Sequence, residues 1–330
     1  MYDIGHEETE RLIADMTRKI KLEYQEAFVR IEERLKEFLS EDKAEMQEMK
    51  KKLADGKITK RQYKKWREEQ LYMKHHWEEM RDVIAEDIHN ANVIARSIVQ
   101  GYLPEAYAIN INYGTYLVEH GINVQTNFTL YNRSAVEHLL RTDPELIPQY
   151  NSKLSRLKDI SYQKRRLQSL ITQSILTGES IPRIASRIAD ELQIDNVNST
   201  IKYARTAMTG AQNAGREGSY ARAERMGIKL RRMWVATLDG RTRHEHRQLD
   251  GQVVDLNEPF KVDGEEIMYP GDSSAPGYLV WNCRCRTIPQ LEGYEHDASD
   301  VSLRHNRRLK GMTYEEWKEA LKNNESNNSD

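Results

Sequence analysis

Cysteine is almost missing from this chain. Two occur in 330 residues, Cys283 and Cys285. With one residue between them they face opposite sides of an extended segment, so a disulfide joining them would be strained. That excludes a disulfide scaffold and reads as synthesis in a reducing compartment. Long apolar runs are missing too, and none approaches the roughly 20 residues that cross a bilayer. The opening MYDIGHEETERL has neither a basic n-region nor an apolar h-region, so no signal peptide is expected. Net charge is only −2, so no overall field selects a partner. Aromatic residues make up 8% and charged residues 31%, a balance that suits long solvated helices better than one large core. At 330 residues the chain exceeds the usual domain of about 100–200 residues, which predicts two or more domains.

Helical patterning fills the first third. Ile13, Met16, Ile20, Tyr24, Ala27, Ile31, Leu35 and Phe38 recur at intervals of three and four among Glu, Lys and Arg, the stripe of an amphipathic helix. Asp55-Gly56-Lys57 breaks it. Thr59 and Gln62 then match a capping box. A second stripe runs through Tyr63, Trp66, Met73, Trp77, Met80, Ile84, Ile88, Ala91 and Ala95. Residues 1–103 therefore predict a long helical hairpin arm, which Pro104 should end or kink. Residues 104–158 read as a mixed connector.

Helix signals return at Ile160, with Tyr162, Leu167, Leu170, Ile171 and Ile175, and Gly178 as a stop. Ser180 and Pro182 suggest a fresh helix through Ile184, Ile188 and Leu192. Another is expected from about Ser199 to Met226, closed by Gly227. The period then changes. LRRMWVATL (230–238) and GQVVDL read as strands, and Asp263-Gly264 within FKVDGEEIMY reads as a hairpin turn. YPGDSSAPG is a loop by composition. In residues 291–330 a helix is expected from Thr313 to Lys322, capped by Thr313 and Glu316. The tail NNESNNSD should be disordered. The fold class is α+β: a long helical N-terminal hairpin or bundle, followed by a helical region and a small C-terminal α+β domain with a short antiparallel sheet, the last two together expected over 159–290.

Two segments carry candidate chemistry. Residues 196–235 hold eight basic residues against two acidic ones: Lys202, Arg205, Arg216, Arg222, Arg225, Lys229, Arg231 and Arg232. A basic helix face can neutralise phosphates in a salt-sensitive, sequence-independent way; such a face is also found simply solvated and paired with acidic neighbours. The second segment is LDGRTRHEHRQLDGQ (238–252). Its His244 and His246, with Cys283 and Cys285, supply the two imidazoles and two thiols of a zinc site, although H-x-H and C-x-C are tighter than usual ligand spacings. Asp250 is an alternative to His244, and two buried free thiols beside surface histidines fit as well. A hydrolytic reading makes one histidine a general base oriented by Asp239 or Asp250, with Arg241 or Arg243 stabilising charge. In a structural reading, Arg241, Arg243 and Arg284 fork onto Asp239, Asp250 and Asp272 and pin the loops.

The residues ARTAMTGAQNAGREGSYARAERMGIKLRRMWVATLDGRTRHEHRQLDGQ, then MYPGD and WNCRCR, resemble the Mu F-like family of phage minor head proteins over about residues 160–290. The matching elements include Arg205-Thr206, Asn213 with Arg216, Trp234, Asp239 with Arg241-Thr242-Arg243, His246, Asp250, Asp272 and Asn282-Cys283-Arg284-Cys285. The resemblance implies a virion component made in the host cytoplasm. It implies portal protein, the capsid or scaffold interior and packaged double-stranded DNA as partners, and no membrane. Some relatives carry Cys-x-x-Cys where this chain has Arg243 to His246. His246, Cys283 and Cys285 therefore carry over as ligands. The fourth would be His244 or Asp250, or else Arg243 bonds Asp250 and replaces the metal. The expected role is non-enzymatic, in head morphogenesis and DNA packaging or delivery. The competing class is a nuclease-like or toxin-like enzyme using the His244/His246 loop, because this domain also occurs in chains resembling delivered toxins. The polar tail about forty residues after NCRC is expected to leave no room for an appended toxin module.

Overall fold

The computed structural model describes residues 3–72, 74–122, 128–150, 159–176, 181–291 and 312–327. The fold is α+β, mostly helical, with short antiparallel sheets in its C-terminal part. The chain divides into two compact units. One comprises Arg18–Ser97 and Asn151–Ile201; the other comprises Met1–Thr17, Ile98–Tyr150 and Lys202–Asp330.

The first unit is helical. It is built from α1 (Ile4–Ala54, from Arg18 on), α2 (Lys60–Tyr72), the first half of α3 (Lys74–Ile122), α5 (Ile160–Leu176) and the start of α6 (Ile181–Arg225). The expected stripe is buried where the structure describes it, at Ile20, Tyr24, Ala27 and Ile31. The side chains of Leu35, Phe38, Met73, Trp77, Ile171, Ile175, Ile184 and Leu192 lie outside the described residues, as do Gly178 and Ser180. Ile31 meets Ile84, Ala85, Ile88, Leu167, Leu170 and Ile188 in one core. Four helices thus share the apolar stripe, because one helix of a hairpin cannot cover a stripe on both partners. The α1–α2 turn is as its residues dictate. Gly56 sits at φ 71°, and Lys57 N–H donates to the Lys52 carbonyl at 2.9 Å, the pattern of a left-handed helix stop. Gln62 N–H donates to Thr59 Oγ1 at 3.2 Å and Thr59 N–H to Gln62 Oε1 at 2.8 Å, a complete capping box.

One expectation fails in these helices, and one of the two alternatives stated for Pro104 is excluded. The helices expected at 180–192 and 199–226 are a single helix, α6. The polar stretch Asn196–Thr200, which resembles a cap, lies mid-helix. Thr200 is buried and its hydroxyl shares a hydrogen bond with Tyr24 Oη at 2.8 Å, while Tyr24 also bonds Asn92 at 2.5 Å. For Thr200 a tertiary partner takes the hydroxyl that would otherwise favour a cap. Nor does Pro104 end its helix, since α3 runs through it to Ile122. Leu103, Ala106, Tyr107, Ala108 and Ile111 are buried around it, and that burial outweighs the one backbone hydrogen bond a proline removes. Much of the expected mixed connector is therefore helix.

In the second unit, the last part of α3 and the C-terminal part of α6 approach backbone to backbone. A Cβ at Gly215 would stand 2.5 Å from the Tyr107 carbonyl oxygen, so only glycine fits. Helix α4 (Arg133–Thr142) is capped by Asn132, whose side chain accepts from Ala135 N–H. The strands are β1 (Leu230–Val235), β2 (Val253–Asp255), β3 (Phe260–Val262), β4 (Glu265–Ile267) and β5 (Arg286–Leu291). β1 is central in the antiparallel order β2-β1-β5, and β3-β4 is a separate hairpin. Asp263 (φ 50°) and Gly264 (φ 81°) make its turn, as two left-handed positions in a two-residue loop require. Trp234, Leu249, Phe260, Ile267, Leu279 and both cysteines form the core beneath the sheet. The helix after Thr313, α9 (Tyr314–Asn327), docks Tyr314, Trp317 and Leu321 on Tyr113, Tyr116 and Leu117 of α3. Its capping box is formed, and the helix continues into the tail expected to be disordered.

Candidate functional site

The site begins with one face of α6. Thr206, Thr209, Asn213 and Arg216 follow at intervals of three, four and three, so they share a face. That face grips the backbone of residues 282–287. Asn282 N–H donates to Thr206 Oγ1 at 2.8 Å, and Thr209 Oγ1 donates to the Cys283 carbonyl at 2.7 Å. Asn213 donates to the Cys285 carbonyl at 3.3 Å and accepts from Thr287 N–H at 3.1 Å. Arg216 Nη1 donates to the Thr287 carbonyl at 2.7 Å. Asn282 itself is left-handed, at φ 59°, a conformation asparagine tolerates better than most residues. Side chains rather than a strand partner therefore fix the Cys-Arg-Cys backbone.

Helix α7 (His244–Leu249) brings His246 onto the two sulfurs. His246 Nδ1 lies 3.2 Å from Cys285 Sγ and 3.6 Å from Cys283 Sγ. All three ligand atoms fall within 4.8 Å of one another, and all three residues are buried. His246 Nε2 is 3.0 Å from the Leu279 carbonyl. A carbonyl can only accept, so Nε2 carries a proton, and Nδ1 is the nitrogen that faces the sulfurs. A backbone carbonyl holding the far nitrogen of a ligating histidine is the usual support for a metal-binding imidazole. The Trp234 ring stands edge-on to His246 at 6.0 Å and packs against the imidazole. The Cys283 thiol donates to Cys285 sulfur, which holds Cys285 well below the ordinary thiol range against the opposing effect of burial, with His246 adding to the shift. Burial pushes Cys283 well above that range. Binding a metal would require both sulfurs to be deprotonated. Two soft sulfurs and one oriented imidazole make a cluster able to hold a metal ion.

The other predicted ligands lie elsewhere. His244 is exposed, and its Nε2 is 2.8 Å from the Gln248 amide. Asp250 accepts from Ala236 N–H at 2.8 Å, tying the end of β1 to the end of α7. Arg243 does not bond Asp250; its guanidinium donates to the Trp281 carbonyl. Among the described residues no fourth His, Cys, Asp or Glu joins the cluster. The two histidines of the loop face different partners and form no acid–base pair.

Loop-locking contacts are present. Arg284 forks onto Asp239 at 2.6 and 2.7 Å, which holds the Asp239 carboxyl well below the usual range, helped by Arg241 N–H. The Arg241 guanidinium stands 3.6 Å from the same carboxylate. Asp272 accepts from Ser274 and from Met268 N–H.

The predicted phosphate-binding face is only partly a surface. Arg216 is fully buried, bonded to Asp3 at 2.6 Å. Arg232 is buried too, donating to Glu217 at 2.9 Å and to the Met268 and Glu258 carbonyls. Neither can reach a phosphate, because each is an interior cross-link. Arg205 is half-buried and paired with Glu10 at 2.8 Å, and Arg222 lies over the Phe128 ring at 4.7 Å. Lys202, Arg225, Lys229 and Arg231 are exposed. Unanticipated from the sequence is the partner of Arg216: Asp3, near the start of the chain, which also accepts from Arg286 Nε at 2.9 Å. Burial alone would raise the Asp3 carboxyl, but the two guanidinium groups overcome it and hold Asp3 well below the usual range. The available signal was Arg286, an arginine in a strand whose neighbours read as interior.

Residues 165–288 match the family described as Phage Mu protein F like protein. The minor head protein GP7 of Bacillus phage SPP1 is 31% identical over 159 residues, 46% of this chain and 49% of that protein. The NAD(+)--arginine ADP-ribosyltransferase EFV of Enterococcus faecalis is 28% identical over 220 residues, 64% of this chain and 42% of that protein. A Haemophilus influenzae protein without assigned function is 27% identical over 177 residues, 52% of this chain and 36% of its own length. The chain thus spans less than half the length of each of these relatives. No solved structure matches. No helix among the described residues is long and apolar enough to cross a membrane.

Proposed function

We propose that this chain, whose residues 165–288 match the Mu F-like minor head protein family, acts as a structural, non-enzymatic head component. It would associate with the portal protein inside the procapsid and support head morphogenesis and DNA packaging or delivery. One observation carries the non-enzymatic part. The polar residues of the motif are engaged as cross-links: Thr206, Thr209, Asn213 and Arg216 on the Cys-Arg-Cys backbone, Arg284 on Asp239, Asp250 on Ala236. Co-expression with the portal protein tests the assembly role. Co-purification with portal rings is expected, and a chain that never associates with portal or procapsid overturns it.

Zinc is the metal that suits two thiolates and an imidazole. His246, Cys283 and Cys285 would hold it, and it would supply cohesion between α7 and the start of β5. Elemental analysis should find about one zinc per chain, lost in His246→Ala and kept in His244→Ala. Contact with double-stranded DNA would fall to Lys202, Arg225, Lys229 and Arg231, which are exposed. Affinity should drop steeply with salt, and the slope should flatten by about one unit for each phosphate contact removed. Salt-independent binding contradicts that contact.

A second reading has one observation in its favour, the similarity to the Enterococcus faecalis ADP-ribosyltransferase. In that reading the shared region serves as a carrier for an enzyme. A nuclease and ADP-ribosyltransferase assay on the purified chain separates the two: the structural reading expects no turnover, and either activity would sink it, with His244→Ala and His246→Ala telling whether that activity lies in the histidine loop.

A further inference from the structure

A small cavity of about 80 Å³ lies against the His246–Cys283–Cys285 cluster. That is room for a few waters or one small anion. Besides the cluster, its walls include Arg205, Arg241, Arg243 and Arg284, and their charges are unequally compensated. Glu10 takes the charge of Arg205, and Asp239 takes that of Arg284. Arg243 donates to a neutral acceptor, the Trp281 carbonyl. Arg241 is highly exposed, and its nearest carboxylate is an Asp239 already forked by Arg284. Four guanidinium groups against two carboxylates leave the wall at about +2, since 4 − 2 = 2. A divalent ion held by two thiolates is neutral overall, so it does not cancel this charge.

Three further facts bear on the cluster. It offers three ligand atoms, and among the described residues no fourth His, Cys, Asp or Glu joins them. Zinc with soft ligands takes four. The cavity that borders all three ligand residues is net positive, so an anion would be favoured there over a neutral water.

We propose that the metal site keeps an exchangeable fourth position facing this cavity, and that a small free anion of the phosphate or azide class occupies it, held by Arg241 and Arg243. This rests on the metal reading above. The volume of about 80 Å³ suits a small free ion.

The test uses the full-length chain loaded with cobalt(II), whose visible spectrum reports its ligands. Elemental analysis first establishes whether cobalt binds. Titration with azide, and separately with inorganic phosphate, at fixed ionic strength should then change the spectrum saturably. Arg241→Gln, on an exposed side chain, should weaken anion affinity about fivefold without changing cobalt stoichiometry or the anion-free spectrum. Arg243→Gln should do the same and provides the second variant. Cobalt bound with a spectrum indifferent to both anions overturns the proposal, because the chain itself then completes the site. An anion response unaltered in both arginine variants also overturns it. No cobalt bound at all refutes the metal reading and this proposal with it, a result distinct from the other two.

Discussion

The two units are held together by different means. In the helical unit Ile31, Ile84, Ile88, Leu167, Leu170 and Ile188 interlock, and apolar burial along long helices does most of the holding. In the mixed unit β2, β3 and β4 are three residues each. Strands so short make few ladder bonds and cannot hold their own register. Polar side chains replace the missing ladder: Arg232 ties β1 to the loops after β2 and β4, and the Thr206–Arg216 face ties α6 to β5. A run of threonines, asparagines and arginines that resembles a binding surface in sequence is, in this unit, the framework.

Breaking the strongest polar lock should have the largest effect. Asp3→Asn leaves the buried Arg216 and Arg286 without their anion and should cost about 3–5 kcal/mol, read as a fall in the urea midpoint. Acid should act the same way. Because the folded-state carboxyl is held below its ordinary value of 3.8, its contribution is complete above that pH and is lost as pH falls further. The mutant should lose this acid-dependent component; an unchanged acid profile would count against the triad. Removing apolar contacts from the other unit comes next. Ile84→Ala should cost about 2–5 kcal/mol through the cavity it leaves, with no change in acid sensitivity below pH 4. Gly215→Ala should cost about 1–3 kcal/mol by overpacking the α3–α6 contact, since the clash at 2.5 Å is with backbone that cannot rotate away. The smallest effect is expected at the α1–α2 turn, where Thr59→Ala removes an exposed cap worth about 1 kcal/mol, seen as a small loss of helical signal at intermediate urea.

Legibility in the sequence followed the same division. The Gly56 turn, both capping boxes and the Asp263-Gly264 hairpin depend on residues near one another, and each formed as expected; so did the described parts of the stripes, Ile13–Ile31 on α1 and Ile84–Ala95 on α3. Pro104 and Asn196–Thr200 misled because their local preference is overridden by burial and distant hydrogen bonds. At the site, ligand type singled out His244, His246, Cys283 and Cys285 alike, the family resemblance carried over the last three, and those three converge. In a short helix two residues apart, His244 and His246 cannot share a face.

By itself the sequence determined the helical character of the N-terminal part, the change of period at residue 230, the Gly56 and Asp263-Gly264 turns, the two thiols with one imidazole, and the motif that marks the family. These rest on periodicity, on dihedral preference and on the chemistry of single side chains, all local properties. Only the tertiary structure decided which charges are interior. Arg216 and Arg232 look like any other arginine of a basic run, and their roles were set by Asp3, 213 residues away, and by the Glu217 carboxylate and loop carbonyls of the short strands. Burying a guanidinium is tolerable only where such partners meet it, and no local pattern announces a meeting between distant segments.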